Sequence, residues 1–209
     1  MLKHTSSSNL PSPVPPIPAK SSLRAALKPI LNSISQANRT LSRHQISEHL
    51  LRSELYLSAS TILAYAALPS ELDLDPFINT ALADGKRVCI PAIDWASKTM
   101  QPAAIENLDA DLEIGRYGVR SPRDRCPLVE PQNIDLILVP GLGFDRDLNR
   151  LGRGAGFYDR MIETLGTLDT RPVLVGVCFT CQIVERVPTE PHDFPMDRII
   201  TETGFIEPV

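Results

Sequence analysis

Between Asn149 and Arg160 the chain reads NRLGRGAGFYDR. Gly152, Gly154 and Gly156 alternate with Arg153 and Ala155, Arg150 stands just before them, and Phe157, Tyr158 and Asp159 follow. Glycines let a backbone lie close to a ligand and take conformations that side chains resist. Arginine grips phosphate oxygens through a planar fork of N–H donors. Aspartate offers hard oxygen ligands to a divalent cation. Together they point to an anionic, phosphate-bearing ligand with a metal ion. Two common phosphate loops are excluded: no Gly-Lys-Ser/Thr follows, and the third glycine of a dinucleotide fingerprint would fall at Phe157. Taken alone, the glycines also suit a plain turn, and Asp159 also suits the first turn of a surface helix.

Such a loop needs rigid elements on either side. Ile134 to Val139, within IDLILVPGLGFD, is a branched apolar run and reads as a central strand. A helix is expected from Phe157 to Leu165, with Gly166 as its stop. The loop then joins a strand's C-terminal end to a helix N-terminus. Open α/β sheets bind ligands there, and the free N–H groups of the helix favour anions. Thr61–Leu68, the RVCIPAI run, Pro172–Phe179 and Arg198–Thr201 supply further strands, with strand-like pieces around Met100 to Ile105. Asp75 as N-cap, Pro76 at the first helical position and Gly85 past the end make a helix between two of them. Strand–helix–strand order implies a parallel sheet. Upstream, Leu23, Leu27, Ile30, Leu31 and Ile34 recur at helical spacing, opened by Ser21 or Ser22 and kinked or interrupted at Pro29. Ser42 to Gln45 fits a capping box for a second helix ending near Ser53. The expected fold is α/β, with three layers and an open, mostly parallel central sheet carrying helices on both faces.

Composition narrows the function. The 209 residues are 43% hydrophobic, enough for a substantial core. Residues 1–19, rich in Ser and Pro, read as a disordered tail, and 20–209 as a single α/β domain. A net charge of −4 gives no broad case for nucleic acid or an anionic membrane. No apolar run approaches the length of a membrane span, and Lys3 and His4 lead into Ser and Pro rather than an apolar signal segment. A cytoplasmic location without nucleic-acid or membrane partners is therefore expected. Cys178 and Cys181 form C-x-x-C but have no second ligand pair at zinc spacing, so they read as ordinary thiols.

The stretch DLILVPGLGFDRDLNRLGRGAGFYDR resembles the signature of 5-formyltetrahydrofolate cyclo-ligases, also called methenyltetrahydrofolate synthetases. KSSLR (Lys20 to Arg24) resembles that family's Lys-x-x-x-Arg helix start, ALPSELDLDPFI its folate-contacting segment, and PTEPHDFPMDRIITE its closing segment. The resemblance covers nearly everything after the tail, in the same order. It implies a monomeric ligase that uses ATP and Mg²⁺ to convert 5-formyltetrahydrofolate into 5,10-methenyltetrahydrofolate. It further implies that ATP is held by Lys20, Arg24, Arg150, Gly152, Arg153, Gly154, Ala155, Gly156, Phe157 and Tyr158. The folate would meet Ala66, Glu71, Arg153 and Phe157; Asp159 and Asp193 would serve the metal, and Arg153 and Tyr158 the chemistry.

Read without the resemblance, these residues have plainer roles. Lys20 and Arg24 are one helical turn apart and suit a solvated face. Glu71 precedes a helix start, and Asp193 is a loop carboxylate suited to a turn. Ala155, Phe157 and Ser121 depart from common family residues, losing one phosphate contact and one hydroxyl. These departures leave a second class open: a non-catalytic nucleotide- or folate-binding module on the same fold.

Overall fold

The computed structural model describes residues 18–165, 171–191 and 193–207. Most of the Ser/Pro-rich stretch lies outside these, as does Gly166, the expected helix stop. Helix α1 (Lys20–Ser33) runs unbroken through Pro29. Proline removes one helical N–H bond, but Pro29 and Ala25 are exposed, so water can satisfy the freed carbonyl while buried Leu27 and Leu31 anchor the helix. Helix α2 (Gln36–Leu51) starts well before Ser42: Ser35 is its cap, its Oγ accepting the Asn38 N–H at 3.2 Å. Ser42 is buried inside the helix, so the Ser42–Gln45 pattern marks no start. A short helix, α3 (Glu54–Ser58), is capped by Ser53.

Strand β1 is only Thr61–Leu63. The apolar run continues because Tyr65 and Ala66 are buried at the mouth of a cleft, not because the strand goes on. Helix α4 (Asp75–Ala83) has Leu74 as its N-cap residue, and the Asp73 carboxylate accepts the Asp75 N–H at 2.9 Å. Capping thus comes from the preceding aspartate rather than from Asp75. Next come β2 (Arg87–Asp94), β3 (Thr99–Ile105), a short α5 (Leu108–Asp111), and the hairpin strands β4 (Leu112–Ile114) and β5 (Arg120–Pro122). The second half holds β6 (Leu136–Pro140), the small hairpin β7 (Gly143–Phe144) and β8 (Arg150–Leu151), α6 (Phe157–Leu165), β9 (Val173–Val177), β10 (Arg198–Thr201) and β11 (Gly204–Ile206).

The central sheet has the order β11-β10-β9-β6-β1-β2-β3. Its five inner strands are parallel, and β11 and β3 close the edges antiparallel. Successive side chains of a strand point to opposite faces. Leu136, Leu138, Val175 and Val177 therefore pack with α1, α2 and α4 on one side. Ile137, Val139 and Leu174 pack with Met161, Ile162 and Leu165 of α6 on the other. Each such apolar side chain contributes about 1.5–3 kcal/mol on burial. The result is a three-layer α/β fold with a mostly parallel sheet. Among the described residues, no helix is long and apolar enough to cross a membrane.

Candidate active site

Beyond β6 the chain forms the β7–β8 hairpin, passes through the glycine stretch and enters α6. This places the stretch above the C-terminal end of a central parallel strand. Gly154 and Gly156 take φ of +101° and +73°, which explains two of the glycines by backbone conformation. Gly152 has another reason: a Cβ there would lie 3.2 Å from both terminal nitrogens of Arg150.

Each basic side chain of the stretch has a defined partner. Arg150, only 7% exposed, donates through Nη2 to Asp159 Oδ1 at 2.6 Å and through Nη1 to the Pro140 carbonyl at 3.1 Å. Its guanidinium also lies over the Tyr158 ring. Arg153 reaches across the cleft and donates through Nε to Glu71 Oε1 at 2.7 Å and through Nη2 to Ser70 Oγ at 2.8 Å. The other carboxylate oxygen of Glu71 accepts the Leu68 N–H at 2.9 Å, so the side chain is fixed at both ends. Arg24 donates to the Gly152 carbonyl at 2.9 Å, tying α1 to the loop.

Lys20 donates to Asp193 at 2.6 Å and to Glu190 at 3.1 Å. Burial works against its ammonium, but the bonds to the two carboxylates prevail, and its pKa lies above the ordinary lysine value. Burial, reinforced by the Glu71 carboxylate, pushes the Tyr65 and Tyr158 phenols up as well. Both are neutral near pH 7 and act there as hydrogen-bonding groups. The Tyr65 hydroxyl already donates to the Leu72 carbonyl at 2.9 Å.

These elements enclose a cleft of ≈ 210 Å³. One side is the loop from Gly152 to Asp159 with Arg150; the other is Ala66 and Glu71. Ile90, Met100 and Trp95 form an apolar wall, where Trp95 meets Phe157 edge-on at 5.4 Å between ring centroids. Lys20, Arg24 and Asp193 do not line the cleft, although Arg24 touches its loop through Gly152. Asp159 and Asp193 engage different cations, Arg150 and Lys20. Among the described residues, no three or more His, Cys, Asp or Glu side chains form a metal-ligand cluster. Sequence reasoning missed Tyr65, Trp95 and Arg120 as cleft residues. An isolated aromatic or arginine in a chain gives no local sign of the cavity that it will face.

Comparison with known proteins agrees with this geometry. The profile of the 5-formyltetrahydrofolate cyclo-ligase family matches residues 16–202. The 5-formyltetrahydrofolate cyclo-ligase of Mycolicibacterium smegmatis is 32% identical over 188 residues, covering 88% of this chain and 93% of the relative. That of Mus musculus is 27% identical over 190 residues, covering 88% and 94%. The solution structure of Aquifex aeolicus 5,10-methenyltetrahydrofolate synthetase superposes with a TM-score of 0.77 at 26% identity, covering 90% of this chain and 92% of that one. With the match running through both the glycine-rich loop and the segments that face it, the chain belongs to the 5-formyltetrahydrofolate cyclo-ligase family.

Proposed function

We propose that this enzyme converts 5-formyltetrahydrofolate and ATP into 5,10-methenyltetrahydrofolate, ADP and phosphate. One observation carries the reading: a single cleft joins a cationic, glycine-rich helix start to an apolar wall with one buried carboxylate. The first suits polyphosphate. The second suits a flat heterocycle whose ring N–H groups need an acceptor, and Glu71 offers one.

The chemistry asks for positioning and charge balance more than for a nucleophilic side chain. A formamide oxygen is a poor leaving group. The γ-phosphoryl group passes from ATP to that oxygen: the bond from the γ-phosphorus to the β–γ bridging oxygen breaks, ADP leaves, and a phosphorylated formyl group forms. The bridge nitrogen of the folate then attacks the formyl carbon. The C–O bond breaks, phosphate departs with the formyl oxygen, and the bridge N–H proton is lost as the five-membered ring closes. Arg150 and Arg153 offset phosphate charge, with Arg24 tied to the loop at Gly152, while Tyr158 and Phe157 bound the reacting end.

Asp159 and Asp193 are the residues that would hold Mg²⁺, which when bound neutralises charge on the phosphates. Their chemistry fits. Each is a hard oxygen donor in a place that already favours a cation. Mg²⁺ usually takes one or two carboxylates with phosphate oxygens and water, so it needs no larger protein cage. We read the enzyme as a cytoplasmic monomer. Incubation with 5-formyltetrahydrofolate and Mg-ATP should produce the methenyl chromophore. Intact nucleotide binding without that product would favour a binding module instead.

A further inference from the structure

Asp145 is fully buried, and none of the roles above uses it. Its Oδ1 accepts the Asn149 backbone N–H at 2.9 Å. Its Oδ2 accepts the Asn149 side-chain amide at 3.0 Å and the Val187 backbone N–H at 2.8 Å. The backbone of the same turn closes on itself, with Leu148 N–H donating to the Asp145 carbonyl at 3.1 Å. Leu148 sits at φ of 67°, which a branched side chain adopts only where its surroundings hold it. Its carbonyl in turn accepts the Met196 N–H at 2.9 Å.

The turn from Asp145 to Asn149 therefore holds the closing segment at two points, Val187 and Met196. Asp193 lies between those points and bonds Lys20. Arg150, the residue after the turn, bonds Asp159. The two aspartates have no local reason to share a frame, and this buried carboxylate gives them one.

We infer that Asp145 is a positioning residue for the nucleotide–metal half of the site: it sets Asp193 and its segment against the loop that carries Arg150 and Asp159. The inference rests on the metal reading of those two aspartates. Groups that orient metal ligands without touching the metal typically affect its affinity by roughly 10- to 100-fold when changed. Asp145→Asn retains the size but turns an NH₂ toward at least one N–H donor, so the clamp loosens.

Asp135 is a control of the same kind at another place. Its Oδ2 accepts the Ser60 and Thr61 N–H groups, both at 2.8 Å, and it stabilises the start of β1. The experiment is calorimetric titration of ADP into the full chain with and without Mg²⁺, alongside thermal melting and titration of 5-formyltetrahydrofolate. In Asp145→Asn, the gain in ADP affinity from Mg²⁺ should fall roughly tenfold, with formylfolate affinity unchanged. Asp135→Asn should lower the melting temperature yet keep the gain. Asn149→Ala removes one donor to Asp145 and should give a smaller loss in the same sense, which keeps the test decidable should Asp145→Asn not fold. An unchanged Mg²⁺ gain in Asp145→Asn, or in Asn149→Ala where Asp145→Asn does not fold, overturns the positioning role. No Mg²⁺ gain in the unaltered protein overturns the metal reading first, and this inference with it.

Discussion

Arg153 and Glu71, 82 residues apart in sequence, meet across the cleft as an ion pair of 2.7 Å. Glu71 is 8% exposed and Arg153 33%, so the pair is largely shielded on the carboxylate side. The residue read as a folate contact thus neutralises one read as a phosphate contact. A pterin that hydrogen-bonds to Glu71 would compete with Arg153 and release its guanidinium toward the phosphates.

Glu71→Gln should therefore act on the two substrates differently. It removes charge and one acceptor while keeping the side chain's shape. Hydrogen bonds to charged groups are worth about 1.5–3 kcal/mol, so KM for the formylfolate should rise roughly tenfold or more. KM for ATP should not rise, because Arg153 is freed rather than lost. Equal increases for both substrates would remove Glu71 from the folate half of the cleft.

At Gly154 the constraint is conformational. A Cβ there would lie 3.7 Å from the Arg24 guanidinium carbon, an ordinary contact, but φ is +101°. Gly154→Ala should cost about 1–2 kcal/mol if the loop keeps this conformation, or the loop will shift. Either way, ADP affinity by calorimetry should drop while the fold persists. Unaltered affinity would mean that the loop does not cradle phosphate.

Acid stability offers a test away from the site. Asp197 accepts bonds from Arg171 at 2.6 and 2.8 Å and from the Leu174 N–H at 2.8 Å, fastening β10 to β9. Burial pushes its carboxyl pKa up, but these donors prevail and hold it below the ordinary aspartate value. A depressed folded-state pKa gives stability that is complete above the unfolded value, about 3.9, and is lost as pH falls through the folded one. Asp197→Asn should thus melt lower than the unaltered protein at pH 7, and the gap should shrink below about pH 3.9. A gap independent of pH would mean that the carboxylate charge contributes nothing.

The fold was readable where pattern and punctuation agree. Phe157–Leu165 and Arg198–Thr201 have the bounds expected from their sequence. Errors arose where one signal serves two structures. The run after Thr61 is apolar both in its strand and at the cleft, and periodicity does not separate them. Ser35 and Ser42 both suit a helix cap, and the tight turn after α1 selects Ser35. The glycine-rich loop was legible as the entry to α6 because its residues are contiguous. The pairs Arg150–Asp159, Arg153–Glu71 and Lys20–Asp193 were not, since tertiary contact alone decides which partner each charge meets.

Those pairs sharpen the metal proposal. Asp159→Asn and Asp193→Asn should each lower turnover by about 3 kcal/mol, roughly a hundredfold or more, and raise the Mg²⁺ needed for half-maximal rate. Residues that serve one ion are not additive, so the double variant should be little worse than the poorer single one. Losses that multiply, with an unchanged Mg²⁺ requirement, would assign the two aspartates to separate roles.

Transfer of the γ-phosphoryl group to the formyl oxygen is the centre of the account, and isotopic labelling tests it most directly. The substrate would carry ¹⁸O in its formyl group, and the released phosphate would be analysed by mass spectrometry after a limited turnover with Mg-ATP. The mechanism requires that oxygen to leave with phosphorus, so one ¹⁸O should appear in each phosphate released per methenyl product formed. Unlabelled phosphate accompanying a full yield of methenyl product would contradict it.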